Sequence, residues 1–251
     1  MTNRLRALLA EGGTAFGAWI MLSNPAGAEM LGGLGFDYVC IDCQHGLLGF
    51  EEMRDILLAL KGLPTTPIVR VPSNDASWIG KALDTGAEGV IVPLVNSKAD
   101  AERAAAASRF PPLGERSFGL ARGHLALGRN PDDVNREVLC FAMIETREGL
   151  DAADDICATP GIDGIYIGPS DLALSLGVPP MLREPPPVHA EAVAGVLASC
   201  VAAGIVPAIH AHSGVDARAR AGEGFRMVTC TSDAAILAIG GLNELGAARG
   251  T

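Results

Sequence analysis

Phe36-Asp37-Tyr38-Val39-Cys40-Ile41 runs directly into Asp42-Cys43-Gln44-His45-Gly46. The first six residues read as a buried parallel strand, largely apolar and rich in β-branched or aromatic side chains. The five that follow crowd a carboxylate, an amide and an imidazole where that strand must end. Such groups are poor core material. They suit the C-terminal mouth of an α/β barrel, where catalytic residues collect.

The same pattern recurs along the chain. Strand-like runs at Ala15–Met21, Asp37–Asp42, Thr66–Val71, Gly89–Val92, Leu139–Ile144, Gly164–Ile167, Ile205–Ile209 and Arg226–Thr231 alternate with helical segments. Eight such runs predict a single (β/α)₈ TIM barrel over residues 1–251. The intervening helices are rich in alanine, as at Lys98–Ser108 and Ala190–Ala203. Two helices end at Asp84-Thr85-Gly86-Ala87 and Ala202-Ala203-Gly204, where glycine suits a left-handed C-cap. Two long segments stand out: one opening at Phe110–Arg116 before the fifth strand, and Val178–Val188, which holds five prolines and leaves the sixth strand toward the mouth.

Composition narrows the function. A net charge of −10 argues against nucleic acid as a partner. No apolar run is long enough to span a bilayer, and residues 1–11 read as a first helix, not a signal peptide. The six scattered cysteines point to reduced thiols and a cytoplasmic location. Cys40 and Cys43 are formally C-x-x-C, but residues three apart at a strand end face opposite ways, so no redox or zinc role is expected.

The charged strand-end residues are Asp42, His45, Arg70, Glu145 and Asp171. One such residue reads as a cap or a surface group; five on one face of a barrel read as a site. Glu145 and Asp171, from neighbouring strands, suit a hard divalent cation; the alternatives are a Glu145–Arg147 pair and a helix cap at Asp171. The Gly168-Pro169-Ser170-Asp171 turn offers free backbone N–H groups to a substrate carboxylate. Arg70 needs a buried partner, Asp42 or Glu145, and can also stabilise an enolate oxygen. His45 is either a structural histidine or a general base.

Taken in order, Asp42-x-x-His45-Gly46, Val69-Arg70-Val71-Pro72, Ala82-Leu83-Asp84-x-Gly86-Ala87, Arg109-Phe110-Pro111-Pro112-x-Gly114-x-Arg116, Ile144-Glu145 and Gly164-x-x-Ile167-Gly168-Pro169-Ser170-Asp171-Leu172 resemble the HpcH/HpaI family of metal-dependent 2-oxo-acid aldolases. The resemblance implies a (β/α)₈ barrel that adds the enolate of pyruvate or hydroxypyruvate to an aldehyde, and the reverse cleavage. It implies a divalent metal ion (Mg²⁺, Mn²⁺ or Co²⁺) on Glu145 and Asp171, and Arg70 on the donor's carbonyl oxygen. His45 would be the acid/base, directly or through a metal-bound water. Asp84 would pair with that histidine, Trp19 would line the acceptor pocket, and backbone N–H groups around Ser170 and Asp171 would hold the donor carboxylate. A homo-oligomer, a hexamer with exchanged C-terminal helices, is also implied. Because Asp84 ends the helix that descends from the third strand, it should sit far from its own mouth, so a neighbouring subunit would bring it to His45.

The chain departs from the family at two places. Gln44 stands where many members carry Glu, removing a charge near the metal, and His210 stands where relatives have an apolar residue against the aldehyde. His210 and His212 have a spacing that can chelate a metal, but a pocket-lining role for His210 is the stronger reading. The rivals to the aldolase are a CoA-ester lyase of the citramalyl or malyl type, for which no basic cluster is evident, and a non-catalytic 2-oxo-acid-binding protein. The three lysines, Lys61, Lys81 and Lys98, all fall away from predicted strand ends, which excludes a Schiff-base mechanism.

Overall fold

The structure, a computed structural model, describes residues 2–119, 121–180 and 185–250. Eight strands, β1 (Ala15–Ile20), β2 (Tyr38–Asp42), β3 (Thr66–Arg70), β4 (Gly89–Val92), β5 (Leu139–Ile144), β6 (Gly164–Ile167), β7 (Val206–His210) and β8 (Met227–Ser232), close into a barrel in sequence order. Every pairing is parallel, including β1 with β8. The helices are α1 (Arg4–Ala10), α2 (Pro25–Gly32), α3 (Phe50–Ala59), α4 (Ala76–Thr85), α5 (Lys98–Ser108), α6 (Pro131–Glu137), α7 (Arg147–Asp151), α8 (Ala153–Cys157), α9 (Pro169–Ser175), α10 (Pro187–Ala203), α11 (Gly214–Glu223) and α12 (Asp233–Arg249).

Local chemistry sets the boundaries. Gly86 (φ 114°) and Gly204 (φ 69°) end α4 and α10 in the left-handed conformation expected of them. β7 lies one residue later than its apolar run suggests. The Ile205 N–H is taken by Cys200 O at the end of α10, so pairing begins at Val206 and carries His210 to the strand end. α10 begins earlier than expected, at Pro187, whose fixed φ suits a first helical turn.

Two apolar layers form. Inside the barrel, Trp19, Tyr38, Cys40, Ile68, Ile91, Phe141, Met143 and Tyr166 fill the lumen, and Leu5 of α1 joins them. A larger cluster, including Cys43, lies between the strands and the helices. Cys40 and Cys43 thus sit on opposite sides of the wall, and all six cysteines are free. Gly17 makes the lumen possible, since a Cβ there would fall 2.2 Å from the Tyr38 ring.

The Phe110–Arg116 segment is tied down, not loose: Asn135 Nδ2 donates to Phe110 O at 3.0 Å and Phe110 N donates to Asn135 Oδ1 at 2.7 Å. Of the proline-rich Val178–Val188 segment, residues 181–184 lie outside the described residues. Among the described residues no helix is long and apolar enough to cross a membrane.

Candidate active site

Asp42 and Arg70 are register partners at the ends of β2 and β3. Their side chains meet in a buried two-pronged pair: Arg70 Nε donates to Asp42 Oδ1 at 2.9 Å and Nη2 to Oδ2 at 2.7 Å. Of the two partners the sequence left open for Arg70, the fold supplies Asp42. Burial alone would lower the guanidinium's pKa, but the bonds to Asp42 outweigh it and the net shift is upward. The Arg70 guanidinium lies 4.3 Å from the Trp19 ring centroid, and its Nη1 has only Met143 Sδ near it, at 3.9 Å. That leaves N–H groups for an incoming oxygen.

Asp42 also shapes the turn that follows, accepting from Gln44 N at 3.1 Å and His45 N at 3.2 Å. Gly46 closes this turn against Met21, and a Cβ there would lie 2.3 Å from Asp42 O. The result is an exposed His45 whose ring has no partner among the described residues. Gln44 lies beside it, half-buried, with Oε1 unpartnered.

Glu145 follows β5 and is 2% exposed. It makes no pair with Arg147. Its Oε1 accepts from Leu94 N at 2.9 Å, and its Oε2 has no partner. Leu94 has φ 53°, a left-handed backbone uncommon for a bulky residue, and this conformation accompanies the N–H bond to the carboxylate. Burial pushes the Glu145 pKa up to about 7, and the charge of Asp171 adds to the rise. Gly168 leaves the space above Oε2 open; a Cβ there would lie 2.8 Å from that oxygen. Asp171 is exposed in the first turn of α9, and it does not cap the helix, whose N-cap is Gly168. An orphaned buried oxygen, a second carboxylate near enough to feel it and a glycine-lined gap fit a hard divalent cation with coordination positions left for water and substrate. No group of three or more His, Cys, Asp or Glu gathers around one point among the described residues.

His210 ends β7. It meets Trp19 edge-on, with ring centroids 4.9 Å apart, and lines a cavity of about 620 Å³ with Ser170, His189 and His212. Burial pushes its pKa down to about 4, with His212 and Arg70 disfavouring a further positive charge. Trp19 Nε1 is buried and unpartnered.

Asp84 lies elsewhere. It pairs with Arg116 at 2.7 Å and lines a cavity of about 1050 Å³ on the outer flank of α4 and α5. The fold therefore brings together Trp19, Asp42, Gln44, His45, Arg70, Glu145, Gly168, Ser170, Asp171 and His210 at the strand ends, and leaves Asp84 outside. The sequence reading missed Leu94, whose N–H binds Glu145, and His189, whose Nε2 meets Pro169 O at 2.8 Å. It also missed the hydroxyls of Tyr38, Tyr166 and Thr229 behind His210. Only the polar atoms in otherwise apolar strands hinted at these last three.

A profile of the HpcH/HpaI aldolase/citrate lyase family matches residues 15–238. The chain is 40% identical over 236 residues, 94% of each chain, to hydroxypyruvate/pyruvate aldolase of Rhizorhabdus wittichii. It is 38% identical over 178 residues, 70% of each chain, to 5-keto-4-deoxy-D-glucarate aldolase of Escherichia coli. Among solved structures, an HpcH/HpaI aldolase/citrate lyase family protein from Burkholderia cenocepacia superposes with a TM-score of 0.89 at 31% identity, covering 99% of this chain and 100% of that one. With strand-end chemistry, barrel and sequence in agreement over nearly its whole length, the chain belongs to the HpcH/HpaI aldolase/citrate lyase family.

Proposed function

We propose that this chain, a carbon–carbon lyase of the aldolase type, adds the enolate of pyruvate or hydroxypyruvate to an aldehyde and cleaves 4-hydroxy-2-oxo acids in reverse. The observation that carries the reading is the pairing of a buried, half-satisfied carboxylate, Glu145, with the clamped cation Arg70 at one barrel mouth. Glu145 and Asp171 would hold a divalent ion, Mg²⁺, Mn²⁺ or Co²⁺. When bound, that ion supplies Lewis-acid stabilisation of negative charge on the donor's oxygens.

The chain's own groups do the rest. Arg70, locked by Asp42, donates from its free edge to the donor's carbonyl oxygen as that oxygen gains charge. Backbone N–H groups at Ser170 and Asp171 hold the donor carboxylate. His45, whose ring has no partner among the described residues, takes the proton from C3, directly or through a water. The electrons of the broken C–H bond form the enolate, which attacks the aldehyde carbon, and the resulting alkoxide takes up a proton. Trp19 and His210 would wall the acceptor side, and Gln44 would add no charge near the metal.

Assembly belongs to the same proposal. Asp84 is too far down its helix to meet its own His45 and faces an outer cavity with Arg116. A homo-oligomer, a hexamer in the family's manner, would carry Asp84 to a neighbour's mouth. Residues 1–251 act as one domain, and a cytoplasmic location accords with six free thiols.

The test is exchange of donor C3 hydrogens. The enzyme with metal should exchange the methyl hydrogens of pyruvate for deuterium, and EDTA-treated enzyme should not. A CoA-ester lyase or a binding protein would fail the first part, and wild-type exchange in EDTA would remove the metal from the reading.

A further inference from the structure

Three hydroxyl side chains stand in line behind His210. Tyr38 Oη is 3.0 Å from Thr229 Oγ1, Thr229 Oγ1 is 2.5 Å from Tyr166 Oη, and Tyr166 Oη is 3.4 Å from His210 Nδ1. Tyr38, Thr229 and Tyr166 are fully buried in the lumen. His210 and Thr229 are register partners on β7 and β8, so the line is fixed by the barrel itself.

Each hydroxyl has one proton, so the line is decided by whether His210 Nδ1 is bare or protonated. With Nδ1 bare, Tyr38 donates to Thr229, Thr229 to Tyr166, and Tyr166 to His210 Nδ1. Every proton then has an acceptor. With Nδ1 protonated, His210 donates to Tyr166 and Tyr166 to Thr229. Four protons then share three contacts, so one O–H, on Tyr38 or on Thr229, is left without an acceptor among the described residues. A buried O–H without an acceptor is costly enough to choose the first state.

We propose that Tyr38, Thr229 and Tyr166 form a one-way relay that fixes His210 as its Nε2–H tautomer, and that Nε2–H donates to the hydroxyl oxygen of a hydroxyaldehyde acceptor. His210 is the specificity-determining residue, and the three hydroxyls are positioning residues. The ring lies against the face of the site that matters: Trp19 touches both Arg70, at 4.3 Å, and His210, at 4.9 Å. With Nδ1 taken by Tyr166, Nε2 is the nitrogen left for the cavity that His210 lines with Ser170 and His212. The low pKa of His210 agrees, since a neutral ring is what the relay requires. The inference rests on the aldolase reading for its substrate, but the tautomer does not.

The decisive measurement is nitrogen-15 NMR of histidine-labelled enzyme near neutral pH, with the His210 signal assigned by its loss in His210→Gln. A protonated Nε2 and a bare Nδ1 are expected. A protonated Nδ1, or a charged ring, overturns the relay. In Tyr166→Phe, which keeps the ring and removes the donor, the two tautomers should mix; an unchanged signal overturns it too. The second arm compares kcat/KM for glycolaldehyde and propanal with pyruvate as donor. The ratio should fall roughly 3- to 10-fold in His210→Leu and stay within about 2-fold in His210→Gln, whose amide can still donate. An unchanged ratio in His210→Leu overturns the acceptor role. Wild-type enzyme that shows no C3 exchange would instead remove the aldolase reading, and the tautomer measurement on resting protein would still decide the relay.

Discussion

Asp42 accepts four hydrogen bonds, two from Arg70 and one each from the N–H groups of Gln44 and His45. One buried carboxylate thereby orients both the cation and the turn that carries His45. Glu145 is its opposite, buried yet half-satisfied. Glu145→Gln is therefore expected to leave the metal-free protein at least as stable in a urea melt, while weakening Mn²⁺ binding in titration calorimetry by more than about 100-fold. Wild-type affinity in this variant would break the metal assignment. A second acid, the half-buried Glu88, titrates away from this site: burial raises its pKa to about 7, with Arg4 opposing and Glu137 adding. A carboxyl raised in the folded state binds more protons there than in the unfolded chain, so stability falls as pH rises from about 4.5 to about 7. Glu88→Gln should remove that slope and stabilise the protein above pH 7 by on the order of 1–2 kcal/mol, after allowance for solvent screening. Melts at acid and alkaline pH would show it. At this scale the sequence displayed the charged residues but not their pairing. Choosing Asp42 over Glu145 as Arg70's partner needs the β2–β3 register, which no local pattern carries.

At the scale of elements, the junction of β6 and α9 is built around Gly168. Adding a methyl there meets Met143 Cε at 2.7 Å and Glu145 Oε2 at 2.8 Å. Gly168→Ala should displace Glu145, and we expect at least a 10-fold loss in metal affinity with far-UV circular dichroism unchanged. The lysines are placed just as decisively. Lys81 lies on α4 over the Phe50 ring at 5.2 Å, Lys98 opens α5, and Lys61 follows α3. Treatment with pyruvate and borohydride should neither inactivate the enzyme nor add mass; an adduct on any lysine would refute the reading of the whole site. The elements themselves were legible because each strand is an apolar run with an abrupt polar end. Where the sequence and the structure differ, as at β7 and α10, a helix cap or a proline moved the boundary by a few residues. Tyr38, Tyr166 and Thr229 were not legible as polar actors, because a hydroxyl inside an apolar run looks like core until its neighbours across the barrel are known.

At the scale of the molecule, α12 is the misfit. It is 17 residues long and buries none of them, with Leu237, Ile239 and Leu242 each more than half exposed. The family resemblance marks the C-terminal helices as the ones exchanged between subunits. A helix so apolar and so bare calls for a protein surface to cover it. Sedimentation should therefore find an oligomer, and Leu237→Asp with Leu242→Asp should dissociate it and lower activity. A fully active wild-type monomer would contradict both the assembly and the role given to Asp84. The Asp42–Arg70 pair carries a further consequence at this scale. Because the two residues are matched across β2 and β3, a slip of one residue between those strands would send one of them into the apolar shell of helices and strand its partner. The same error would strip the mouth of its cation. Folding fidelity and turnover are thus read by one pair of charges, and a soluble, well-packed but inactive barrel with slipped strands is a species this chain has little means to accumulate.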